Sequence, residues 1–174
     1  MRSIGKPLKH IFAPSPKGLK LVELAVDEFI INWHLSNVDE ERQIVESIVR
    51  SIKKKCHKLV FDRAYLGKFA EKLSLIEEAR KRDTYVLWVL VKRLRALIHD
   101  SSKVRICEGR HVIELELIED QFDRLVAKSA LCAEGKEKLL VTTDSDLIGK
   151  AKALEKYGVK VLTPHQAEGL LLTS

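Results

Sequence analysis

Strand-length apolar runs alternate with helical stretches along this chain, which predicts an α/β protein with three α/β/α layers around a central, mostly parallel sheet. Three observations carry that reading. Runs such as Lys58–Asp62 (KLVFD), Lys138–Val141 (KLLV) and Val159–Leu162 (VKVL) are short, rich in branched residues and bounded by polar ones. Between the runs, Asp39 to Lys55 sets Ile44, Val45, Ile48, Val49 and Ile52 on one apolar stripe, the signature of an amphipathic helix. The length of 174 residues is one domain's worth, and no repeat or low-complexity linker divides it, so residues 1–174 read as a single domain.

Taken in order, Lys9 to Ala13 reads as a first strand closed by Pro14, Ser15 and Pro16, and Lys17 to Trp33 reads as helical. The helix Asp39 to Lys55 and the second strand Lys58 to Asp62 follow, and Tyr65, Leu66, Phe69 and Leu73 mark another helix. Asp83 to Ile98 is a broadly apolar helix suited to a deep position or a subunit contact. Val104 to Cys107 and Val112 to Leu115 read as short strands around Gly109. A helix from Glu119 to Ala133 leads into the strand Lys138 to Val141. Asp146 to Tyr157 continues as helix, with Gly158 as its C-cap before the strand Val159 to Leu162.

An apolar fraction of 45% with 32% charged residues places the chain among globular proteins rather than disordered ones. Its longest apolar stretch, Tyr85 to Val91, falls far short of the ~20 residues a membrane helix needs, and the N-terminus lacks a secretory apolar region. The expectation is a cytoplasmic protein with no membrane partner. Cys56, Cys107 and Cys132 show no CxxC spacing and read as buried, reduced thiols. Two Asn and three Gln against abundant Lys and Glu is a bias of hyperthermophile proteins. The net charge of +6 is uneven: Arg50 to Arg110 holds 17 Lys and Arg against 7 Asp and Glu, whereas His111 to Leu147 holds 4 against 9. A basic flank beside an acidic centre suits a polyanion gripped by its phosphates while a cation works among carboxylates. Lys53, Lys54, Lys55 and Lys58 form the densest basic run, readable as a nucleic-acid grip or as cations that complement a helix C-terminus. Trp33 and Trp88 read as core, and the histidines have no ligand spacing.

Leu139 to Leu147 (LLVTTDSDL) ends an apolar strand in two threonines and then presents Asp144 and Asp146. Carboxylates at the mouth of a strand repel one another and lose solvation unless a cation or hydrogen-bond donors sit there. In parallel sheets the site lies beyond the carboxyl ends of the strands, where Asp144 falls and where Asp62 can share the edge. Asp120 and Asp123 open the preceding helix three residues apart, and Asp120 alone reads as a cap.

Asp123–Leu131 (DRLVAKSAL), LLVTTDSDL and Gly158–Ala167 (GVKVLTPHQA), in that order and spacing, resemble the C-terminal half of a PIN domain. The resemblance covers about a third of the chain. It implies a metal-dependent endoribonuclease for single-stranded RNA, with Asp123, Asp144 and Asp146 holding Mg²⁺ or Mn²⁺ and Thr142 or Thr143 orienting water or a carboxylate. The family also implies an aspartate at the end of the first strand, where this reading finds Ala13, and a glutamate in the helix after the second strand, where it finds Lys68. Asp62 or Glu71 would substitute. These departures keep open a catalytically impaired, PIN-like nucleic-acid-binding or regulatory module. A Toprim-like domain fits Thr143, Asp144, Asp146 and Gly149 but lacks a placeable strand-end glutamate, and a haloacid-dehalogenase reading lacks its downstream lysine and acidic pair. RNA is the expected partner, with a homodimer and an inhibitor protein left open.

Overall fold

The computed structural model describes residues 21–79, 85–108, 112–135 and 137–174, and these form one sheet with helices on either side. The strands are β1 (Val22–Val26), β2 (Lys58–Asp62), β3 (Val104–Cys107), β4 (Glu137–Val141) and β5 (Val159–Leu162). Every neighbouring pair is parallel, and the order is β3-β2-β1-β4-β5. This is the three-layer α/β/α arrangement the sequence predicts.

Helices α1 (Phe29–Asn32) and α2 (Asp39–Lys54) join β1 to β2, while α3 (Arg63–Ala79) and α4 (Tyr85–Ile98) join β2 to β3. Helix α5 (Gln121–Leu131) carries the chain back across the sheet to β4. Helices α6 (Ser145–Gly149) and α7 (Ala151–Glu155) lead to β5, and α8 (Pro164–Thr173) closes the chain against α2. The helix ends explain their own positions. Asp39, Glu40 and Glu41 in the first turn of α2 and Lys53 and Lys54 in its last turn complement its dipole. Thr163 and Gln166 form a capping box on α8, with Pro164 in its first turn. Gly158, at φ 75°, takes the left-handed conformation that ends α7 and turns the chain into β5.

The core is one contiguous cluster on both sides of the sheet, and β1 is its centre, with all five residues buried. The stripe of Ile44, Val45, Ile48, Val49 and Ile52 packs α2 into it, and Val91, Leu94, Leu97 and Ile98 do the same for α4. Tyr65, Phe61, Phe69 and Phe122 cluster between α3, β2 and α5 with ring centroids 5.2–6.0 Å apart, Tyr65 meeting Phe69 and Phe122 edge to face and Phe61 packing at a tilt.

Three expectations are corrected and a fourth is untested. The helix expected from Lys17 to Trp33 is replaced by strand β1 and the single turn of α1. Strand β1 contains Glu23, fully buried, which gives VELAV the mixed look of a helical segment. Its carboxylate is held by the Arg105 guanidinium at 2.9 Å and by the backbone N–H groups of Glu134 and Gly135 at 2.6 and 2.9 Å. The strand expected at Lys9 to Ala13 lies outside the described residues. Val112 to Leu115 is not a strand, because a 3₁₀ turn occupies Ile113–Leu117. The helix expected over Asp146 to Tyr157 breaks at Lys150 (φ −92°, ψ 5°) into α6 and α7.

The cysteines are also corrected. Cys107, at the end of β3, and Cys132, at the end of α5, form a disulfide with Cα atoms 6.2 Å apart, and Cys56 is exposed. The packing of α5 across β2 toward the β3 edge brings the two together, and their separation of 25 residues hides that in the sequence. Among the described residues no helix is long and apolar enough to cross a membrane.

Candidate functional site

The carboxyl edge of the sheet gathers an acidic pocket of about 370 Å³ lined by Asp27, Glu28, Phe29, Asn32, Phe122, Asp123, Thr143, Asp144 and Ser145. Its location follows from the strand order. From β1 the chain turns one way to β2, and β4 stands on the other flank, so β1 and β4 border the topological switch point where α/β sheets open a crevice. The register pairs Val26 with Val141, which sets Asp27 beside Thr142.

Thr142 ties the two sides together. It is buried, donates its hydroxyl to Asp27 Oδ2, and accepts the Asp144 N–H at 2.9 Å. The Thr143 N–H adds a second donor to Asp27 Oδ2 at 3.1 Å, and the Phe29 N–H reaches Asp27 Oδ1 at 2.6 Å. Asp144 caps α6 through the N–H groups of Asp146 and Leu147. Opposite them, Asp120 caps α5 by accepting from Phe122 and Asp123, which leaves the Asp123 side chain to face the pocket.

The charges in this pocket work against one another. Burial, followed by the neighbouring carboxylates of Asp144, Asp120, Asp27 and Asp146, pushes the Asp123 carboxyl up to about 6. Asp27 is raised as well, by burial first and by Asp144, although the hydrogen bonds from Thr142, Phe29 and Thr143 oppose the rise. Tyr65, beneath the pocket, gives its hydroxyl to the Val26 carbonyl at 2.7 Å; burial and the charges of Asp27 and Asp123 hold it far above the usual phenol range. Two cations approach. Lys72 on α3 pairs with Glu28, and Lys68 lies 5.8 Å from the centroid of the Phe122 ring.

Asp123, Asp144, Thr142 and Thr143 therefore stand at one locus. Asp146 is exposed on α6 and adds its charge from the rim. Asp62 caps α3, its Oδ1 accepting the Ala64 N–H at 2.9 Å, and Glu71 is exposed on α3; neither lines the pocket. Asp27 and Glu28 were missed, since the segment containing them was read as helix, and so was Lys72. The signal for Asp27 was available in principle: an aspartate closing an apolar run, as Asp62 and Asp144 do.

Among the basic run, Lys53 and Lys54 line a separate groove with Arg50 and Arg93, and Lys58 begins β2. Lys55 turns the other way. Its ammonium donates to the carbonyls of Leu171, Leu172 and Ser174 at 2.7, 3.0 and 2.8 Å, satisfying the orphan C-terminal acceptors of α8.

The pocket's donor set is hard oxygen, which suits Mg²⁺ or Mn²⁺ rather than a softer ion. Among the described residues, no three His, Cys, Asp or Glu side chains stand close enough to hold a metal ion as they are arranged. The mutual repulsion at Asp123 and Asp27 is nevertheless the electrostatic condition that a bound cation relieves. No protein-family model matches this chain, and no curated protein or solved structure does.

Proposed function

We propose that this chain is a PIN-like, metal-dependent endoribonuclease of the cytoplasm, acting on single-stranded RNA at the acidic pocket. The observation that carries the reading is the convergence of Asp27, Asp123 and Asp144 on one cavity at the switch point of the sheet. Asp27 supplies the strand-end aspartate that the PIN resemblance calls for, a place the sequence reading gave to Ala13. A magnesium or manganese ion, when bound, would supply a Lewis acid and a nucleophilic water at neutral pH. Asp123 and Asp144 would hold it, Asp146 would add charge from the rim, and Thr142 would fix Asp27 and the Asp144 backbone in one orientation. The Asp123 carboxyl, raised to about 6, would be drawn back toward the usual carboxylate range as the cation enters. A disulfide fits a cytosolic address in a hyperthermophile, where such bonds persist.

A second reading has its own observation. Lys72 and Lys68 bring positive charge to the pocket from α3, where the family has a glutamate, and that favours a PIN-like scaffold that binds RNA without cutting it. Titrating Mn²⁺ calorimetrically into the wild type and Asp144→Asn, then assaying cleavage of single-stranded RNA at saturating metal, separates the two. The nuclease gives heat that Asp144→Asn abolishes, with cleavage. Folded protein giving neither heat nor cleavage overturns the enzyme and leaves the binder.

A further inference from the structure

A groove of about 230 Å³ between α2 and α4 is lined by Glu46, Val49, Arg50, Lys53, Lys54 and Arg93. The first five fall at i, i+3, i+4, i+7 and i+8 along α2, which makes a second stripe beside its core-facing one. Four cations thus face one carboxylate. Lys53 and Lys54 suit the C-terminal dipole of α2, but that effect fades within a turn and explains neither Arg50 nor Arg93, which comes from another helix. Arg50, Lys53, Lys54 and Arg93 are all exposed, and none forms an ion pair among the described residues. Arg93 further helps hold buried His34 neutral, near 4, behind burial itself and ahead of Arg42.

From these features we infer that the α2–α4 groove is a phosphate-backbone site for single-stranded RNA, separate from the acidic pocket. The inference rests on the RNA reading above. Arg50 and Lys54 lie about 6 Å apart along the helix axis, so their heads can meet successive phosphates of an extended strand. Strand favours this occupant over an acidic protein because the same polyanion is the ligand proposed for the pocket, and the chain is positively charged overall. The geometry adds a length rule. The end of α2 leads into the start of β2, whereas the pocket sits beyond the other end of the sheet, and a five-residue strand spans roughly 17 Å. A dinucleotide cannot occupy both sites; a longer strand can.

The test compares Arg50→Glu/Lys53→Glu with Lys152→Glu/Lys156→Glu, an equal charge change at exposed positions around α7. Binding of a fluorescent single strand of about 20 nucleotides is measured without metal over a range of salt. The groove variant should bind about tenfold more weakly near 0.1 M salt, with a salt slope flatter by about 1.4, while the α7 variant keeps the wild-type slope. Cleavage of a dinucleotide and Mn²⁺ heats should be unchanged in the groove variant, so a failure of the pocket reading shows there and nowhere else. Equal weakening in both variants, or no strand binding by the wild type, overturns the groove. Binding of labelled polyglutamate that the groove variant loses while its strand binding matches the wild type also overturns it and assigns the groove to an acidic protein. Arg50→Gln/Lys53→Gln repeats the measurement should the charge reversal disturb folding.

Discussion

Glu23, near the start of the buried strand β1, and Asp27, one residue past its end, sit four residues apart, and their surroundings push them in opposite directions. Burial raises Glu23, but the N–H groups of Glu134 and Gly135 and then the Arg105 guanidinium outweigh it, and its carboxyl ends below the usual range. Asp27 also collects three donors, yet burial, with the charge of Asp144 behind it, outweighs them and its carboxyl ends above the usual range. Whether an acid holds the fold or strains it is therefore decided by the balance between burial and the donors the carboxylate collects, with the nearest charge adding the last push. The amino edge of the sheet spends its carboxylate on structure, and the carboxyl edge keeps its carboxylates in tension.

The sharpest way to break the comparison is Glu23→Ala. Removing Glu23 leaves the N–H groups of Glu134 and Gly135 without their acceptor and Arg105 with Glu134 as its remaining carboxylate, and urea denaturation should show a loss of about 2–3 kcal/mol. A loss below about 1 kcal/mol would mean that Glu23 is no anchor. Thr142→Val should come next, at about 1–2 kcal/mol, because a buried hydroxyl that both donates to Asp27 and accepts from Asp144 disappears. Asp144→Asn, in contrast, should leave stability within about 1 kcal/mol of the wild type, since lost capping strength is offset by relief of repulsion.

The smallest effect is a pH-dependent one. A carboxyl raised to about 6 stabilises the fold while protonated and loses that contribution as pH rises through 6. Asp123→Asn should therefore be more stable than the wild type above pH 6, and the gap should close as pH falls from about 6 to about 4. Chemical denaturation of both proteins across that range measures it; a constant gap would place the effect elsewhere. Glu23 has the opposite sign, its contribution holding at neutral pH and failing only as acid reaches its lowered carboxyl.

How much of this the sequence reveals depends on how far each residue's partners lie along the chain. Strands β2, β4 and β5 and helix α2 declare themselves through local period alone. Asp144 is legible because it opens a helix just after a recognisable run, and Asp123 because it begins the first of the three stretches that resemble a PIN domain. Strand β1 was not, because Glu23 breaks its apolar pattern and the residue that makes Glu23 tolerable, Arg105, is 82 positions away. Missing β1 meant missing Asp27 behind it. Lys55 misled in the same manner: it belongs to a basic run by sequence, but its acceptors lie 116 to 119 residues downstream.

The bond between Cys107 and Cys132 also sets how the molecule would answer a mechanical load. Pulled by its two ends, the chain can pay out every folded segment except the one enclosed by that bond, which contains the whole of α5 and with it Asp123. With the anchors 25 positions apart, roughly 85 Å of extended length stays hidden until a reductant opens the bond. The measured contour length under force would report the oxidation state of this one protein molecule.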